Sequence, residues 1–165
     1  MKILVAYAGK SGSCRTMCEL LATCLPNHEV VVADLVAAPI APLGFDYVVL
    51  GGAVRFGKLH RALRAYLAAH GKAIAKMRHA LFLCCAFADQ FENYAEMLFE
   101  GDLLTSADEV VYFGGELNVS RQRGLDKLFA RLMRSSILES EEDDAMLPGL
   151  LPEHVRLLAD RLRKL

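Results

Sequence analysis

Hydrophobic residues along this chain fall into two alternating patterns. Short, nearly continuous apolar runs occur at 2–7 (KILVAY), 29–35 (EVVVADL), 47–50 (YVVL), 80–86 (ALFLCCA) and 108–113 (DEVVYF). Runs of this length, rich in valine and bounded by glycine or proline, predict strands buried on both faces. Between them the spacing changes. Met17, Leu20, Leu21 and Cys24 stand at i, i+3, i+4 and i+7, the stripe of an amphipathic helix. Leu59, Leu63, Tyr66 and Leu67 mark a second helix over 58–70, and a short one follows at 93–99. Leu125, Leu128, Phe129 and Leu132 mark a helix over 121–135. Pro152, suited to the first turn, opens a last helix with Leu151, Val155, Leu158 and Leu162 on one side. About ten residues, with Pro39 and Pro42, separate the second and third strands, too few for a full helical crossover. The acidic segment 139–146 is the one linker-like stretch.

Strands alternating with helices predict an α/β domain with a doubly wound parallel sheet, five strands in the order 2-1-3-4-5, sandwiched between two helical layers. Such sheets bind ligands beyond the carboxyl ends of their strands, where the strand order reverses. Here that point lies between strands one and three. It is rimmed by 8–13 (AGKSGS), 51–57 (GGAVRFG) and 87–93 (FADQFEN). The first loop is small residues and hydroxyls leading into a helix, so its N–H groups and the helix N-terminus offer donors to a phosphate. A tight turn that binds nothing is the plainer alternative.

Composition narrows the class. The 165 residues are 54% apolar and 24% charged, a globular balance expected to fold as one domain, 1–165. The longest apolar run, 80–88, is too short to span a bilayer, and the first is already a strand, so the protein is expected to be cytoplasmic. Five cysteines (14, 18, 24, 84 and 85) within predicted elements suggest reduced thiols rather than a disulfide framework, and no metal-ligand spacing appears. Cys14, at a helix start, is the thiol whose reactivity the sequence singles out. The net charge of −1 hides segregation: 58–78 carries six Lys/Arg and no acid, while every charge from Asp89 to Glu116 is negative. Together with the basic 121–134 segment, 58–78 offers a surface to an anionic partner, a cofactor or the inner face of a membrane. Nothing calls for nucleic acid.

Several phosphate readers are excluded on spacing. A Walker loop needs a glycine where Leu4 stands, and the dinucleotide GxGxxG is absent after the first strand. A phosphorelay receiver needs acids where Ala8-Gly9 and Gly51-Gly52 stand. A phosphatase loop needs its cysteine before the turn, and Cys14 lies past it. What remains is a cradle for one monophosphate with Phe56, Phe87, Phe91 and Tyr94 on the neighbouring loops, planar side chains that suit a flat ring system. FMN fits all three loops.

The chain resembles the flavodoxin domain, and within it the branch containing menaquinone-dependent protoporphyrinogen dehydrogenase. The likeness is carried by DYVVLGGAVRFGKLHRALRAYL (46–67), NYAEMLF (93–99) and VVYFGGELNVSRQRGLDKLFARLM (110–133), and by a small-xxx-Gly-x-Thr loop that maps onto Ala8 to Cys14 with Gly12 as its glycine. The resemblance implies that Lys10, Ser11, Gly12, Ser13 and Cys14, next to Gly9, hold an FMN phosphate. Gly52, Ala53, Val54, Arg55, Phe56 and Gly57, with Ala86, Phe87, Ala88 and Phe91, would embrace the isoalloxazine ring. Cys14 stands in place of the usual Thr, and the connection after the fourth strand is short and acidic where that branch has a long basic one. Three functions follow: a quinone-linked or porphyrin-related FMN oxidoreductase with a small-molecule or quinone partner, a one-electron FMN carrier, and a binding module of the same fold that has lost FMN. In the first, the flavin does the chemistry, and no protein acid or base is expected.

Overall fold

The computed structural model describes residues 1–115 and 149–165. Five parallel strands form the main sheet: β1 (Lys2–Ala8), β2 (Glu29–Asp34), β3 (Tyr47–Arg55), β5 (Arg78–Cys84) and β6 (Glu109–Tyr112), in the order β2-β1-β3-β5-β6. A two-residue strand, β4 (Lys58–Leu59), folds back antiparallel on the end of β3. Without β4, this is the 2-1-3-4-5 order predicted. The central strands β1, β3 and β5 are buried along most of their length, whereas β2 and β6, at the edges, are half exposed. The valine-rich 29–35 run is therefore an edge strand, not one buried on both faces.

Each face of the sheet is covered by its own helices. On one side, Met17, Cys18 and Leu21 of α1 (Ser13–Thr23) meet Val155, Leu158 and Leu162 of α5 (Pro152–Leu162) over Ile3, Val5, Tyr47 and Phe82. Phe82 stacks on Phe113 with ring centres 4.6 Å apart. Burial of Met17 and Leu21 alone stabilises this layer by about 4 kcal/mol. On the other side, Leu63, Tyr66 and Ile74 of α2 (Arg61–Ile74), Ala95 of α3 (Phe91–Leu98) and Leu103 of α4 (Asp102–Thr105) pack on Leu4, Val48, Leu50, Leu81 and Leu83.

Two boundaries differ from the sequence expectation. Strand β3 continues through Gly51-Gly52 to Arg55, because a side chain at either glycine would collide with its surroundings. A Cβ on Gly51 would lie 2.7 Å from the Phe82 ring, and one on Gly52 would lie 2.4 Å from the Ala8 carbonyl oxygen. The second helix starts at Arg61, not 58, because Lys58 and Leu59 pair with Arg55 and Val54 as a hairpin. The helix expected at 121–135 and the linker at 139–146 lie outside the described residues. Among the described residues, no helix is long and apolar enough to cross a membrane.

Candidate functional site

The sheet presents the ends of β1 and β3 side by side, Ala8 opposite Gly52. From Ala8 the chain leaves the sheet through Gly9, which is wedged so closely that a Cβ there would sit 3.2 Å from Cys14 Sγ and 3.8 Å from Ala53 Cβ. Lys10 is exposed, Ser11 half-buried and Ser13 buried, with the two serine hydroxyl oxygens 3.3 Å apart. Gly12 is the N-cap of α1 at φ 87°, a left-handed conformation that costs a side-chain-bearing residue about 1 kcal/mol or more. No side chain caps this helix, and its first turn holds no acidic residue. Its positive end, with N–H donors pointing out of the first turn, is matched by two hydroxyls and no anion, as in a phosphate cradle.

The first turn is anchored from outside. Arg15 donates through Nε to the Tyr7 hydroxyl at 2.9 Å and pairs with Asp34 at 3.2 Å. Burial, and secondarily the Asp34 charge, push the Tyr7 phenol up, while Arg15 opposes them. The sequence reading missed this triad, which ties α1 to the ends of β1 and β2. Its signal was a basic residue in the first helical turn, where a helix dipole alone disfavours it.

The second loop is a two-residue hairpin turn, Phe56-Gly57, both at positive φ (52° and 68°), as type I′ geometry requires. Phe56 is 60% exposed, and a side chain at Gly57 would face the Tyr94 ring of α3 at 4.0 Å. In the third loop, Phe87 is half-buried and Ala88 exposed, ahead of a 3-10 turn over Ala88–Gln90. Phe91 is turned inward onto Tyr112, ring centres 5.4 Å apart, and the Tyr112 hydroxyl donates to the Cys85 carbonyl at 2.9 Å. Of the aromatics singled out from sequence, Phe56 is therefore the solvent-facing one, while Phe91 supports the loop from beneath.

Between the first loop and the hairpin lies a cavity of about 220 Å³, lined by Gly9, Lys10, Ala53, Arg55, Lys58, Leu59, His60 and Arg61. His60 caps α2 by accepting the Ala62 N–H at 3.2 Å. Its pKa is lowered from 6.5, first by partial burial and then by Lys10 and Arg61. Lys58, His60 and Arg61 were not among the residues predicted from sequence, because their convergence depends on the hairpin.

A family model described as "Flavodoxin domain" matches residues 4–144. The chain belongs to the flavodoxin domain family. No curated protein matches its sequence. Among solved structures it is similar to a Fusobacterium nucleatum flavodoxin bound to flavin mononucleotide (TM-score 0.56, 10% identity, 99% of this chain and 98% of that one). It is also similar to a flavodoxin from the domain Archaea (0.50, 11%, 99% of each). It further matches the rubredoxin oxygen:oxidoreductase of Desulfovibrio gigas (0.53, 12%), covering 97% of this chain but spanning only 36% of that longer one.

The thiols of this flavodoxin domain are packing groups. All five cysteines are free, and Cys14 is only 2% exposed, so the thiol singled out at the helix start is closed to solution. Contact with Cys14 and burial hold Cys84 well above the usual thiol range, burial does the same for Cys18, and Cys85 is raised to about 11 by burial. Neutral thiols at these positions serve as small apolar filler. Among the described residues, no cluster of three or more His, Cys, Asp or Glu could hold a metal.

Proposed function

We propose that this flavodoxin domain binds FMN, with the phosphate at Ser11–Cys14 and the isoalloxazine ring between the Phe56-Gly57 hairpin and the third loop, and that it works as an FMN-dependent oxidoreductase. The observation that carries the reading is the uncapped N-terminus of α1, with its paired serine hydroxyls, at the reversal point of the sheet. Bound there, the flavin would supply the redox chemistry. The chain's own part is to hold the phosphate with backbone donors and hydroxyls and to offer Phe56 as a planar surface.

The finer reading is a quinone-linked or porphyrin-related enzyme similar to protoporphyrinogen dehydrogenase. It is supported by the basic character of the hairpin and of α2, where Lys58, Arg61, Arg64 and Lys72 are all exposed, as is Lys76 just past the helix. An electron-carrying flavodoxin is the second reading, supported by the exposed acids Asp89, Glu92, Glu96 and Glu100 that follow the third loop. The test is the visible absorption spectrum of the purified chain after incubation with micromolar FMN and gel filtration, followed by turnover assays with protoporphyrinogen and a menaquinone analogue. A retained flavin spectrum supports the cofactor reading. Turnover with either substrate selects the enzyme, flavin without turnover selects the carrier, and no retained flavin leaves a binding module of this fold.

A further inference from the structure

We propose that the cavity on the α2 side of the first loop is a second anion site, separate from the one at α1, which takes the carboxylate or phosphate end of a small ligand standing beside the flavin. The first loop has two sides. Ser11, Ser13 and Cys14 lead into α1 on one face of the sheet, whereas Gly9 and Lys10 line the cavity, whose floor residue Leu59 packs in the α2 layer on the other face. The placement of the ligand beside a flavin rests on the FMN reading; the anion site itself does not.

Four elements deliver cations to this space: Lys10 from the first loop, Arg55 from the end of β3, Lys58 from β4 and Arg61 from the first turn of α2. Like charges gathered in one cleft repel, and they focus positive potential on whatever enters. Lys58 and Arg61 form no ion pair with any described residue. The acid that acts on His60, Asp34, is engaged by Arg15 and Tyr7. With the Ala62 N–H on Nδ1, the neutral His60 ring keeps its proton on Nε2 and adds a further donor to the lining. One flavin monophosphate at α1 does not reach Lys58 and Arg61 on the α2 side of the loop. At about 220 Å³ the cavity is smaller than sites that engulf whole ligands, so it suits the anionic end of a ligand whose remainder stays outside.

Calorimetric titration of the full chain with citrate and with inorganic pyrophosphate, each with and without saturating FMN, tests this. The K58Q/R61Q double variant alters two exposed side chains, and circular dichroism checks that its fold is kept. The expected result is binding of at least one ion whether or not FMN is bound, weakened about tenfold in the double variant, with FMN affinity changed less than about twofold. Preference for citrate identifies a carboxylate ligand, and preference for pyrophosphate a phosphate. Displacement of the ions by FMN, no binding to the unaltered chain, or equal binding by the double variant would overturn the proposal. Ion binding that is lost in the double variant, in a chain that takes up no FMN, would keep the second site and remove the cofactor reading.

Discussion

Ser11→Asp should move stability and flavin affinity in opposite directions. The positive end of α1 has neither a side-chain cap nor an acidic residue in its first turn, and the charge of Arg15 there is paired with Asp34. An aspartate at 11, half-buried beside Gly12, would supply the missing anion. A carboxylate at a helix N-terminus contributes about 0.5 kcal/mol, which for a chain of this length raises Tm by roughly 1–2 °C. The same carboxylate would repel a bound phosphate. At an effective dielectric constant of about 20, two unit charges about 5 Å apart repel by about 3 kcal/mol, roughly a hundredfold in Kd. Thermal melts of the flavin-free protein and titration by quenching of FMN fluorescence give the two quantities. Ser11→Ala, which removes only the hydroxyl facing Ser13, should weaken FMN a few-fold by losing one hydrogen bond. For Ser11→Asp, affinity within threefold of the unaltered chain would refute a phosphate at this helix. Lost affinity together with a lowered Tm would show that the substitution disturbed the fold instead.

Three further outcomes are expected. His79 is fully buried with its ring nitrogens 2.9 Å and 2.8 Å from the carbonyl oxygens of Met77 and Leu103, so His79→Leu removes the ring N–H that one of these carbonyls accepts and should cost about 2 kcal/mol, read as a Tm roughly 6 °C lower. Gly52→Ala drives a Cβ against the Ala8 carbonyl at 2.4 Å and Leu63 at 3.0 Å, and urea denaturation should show a loss of about 3 kcal/mol. His60 has its pKa lowered in the fold, so the unfolded chain takes the proton more readily. The stability this represents is complete above the unfolded value of 6.5 and is lost as pH falls below it. His60→Asn keeps an acceptor for the Ala62 N–H and should flatten that fall, measured as Tm between about pH 7.5 and pH 5.5.

The order of the sheet was legible because strand positions follow from apolar runs of fixed length, and the helices between them imply parallel crossovers. The first loop was legible too, since its small residues and hydroxyls are contiguous with the helix they precede. The second loop was not. Gly51-Gly52 resembles a strand end, and only the Phe82 ring and the Ala8 carbonyl, contributed by neighbouring strands, explain glycine in mid-strand. The hairpin stayed hidden because Phe56 occupies a turn position usually given to Asn, Asp or Gly. His60, an uncommon N-cap, likewise concealed where α2 begins. The cationic cavity depends on both features, so it emerges only in three dimensions. The inward turn of Phe91 onto Tyr112 and the burial of Cys14 are tertiary effects of the same sort.

The central claim, that the N-terminus of α1 is a phosphate site, is tested most directly by comparing FMN with riboflavin, which differ only in the phosphate. The unaltered chain should bind FMN at least a hundredfold more tightly, about 3 kcal/mol from a phosphate held by backbone donors and a helix N-terminus. Equal affinity for the two flavins, or binding of neither, would contradict it.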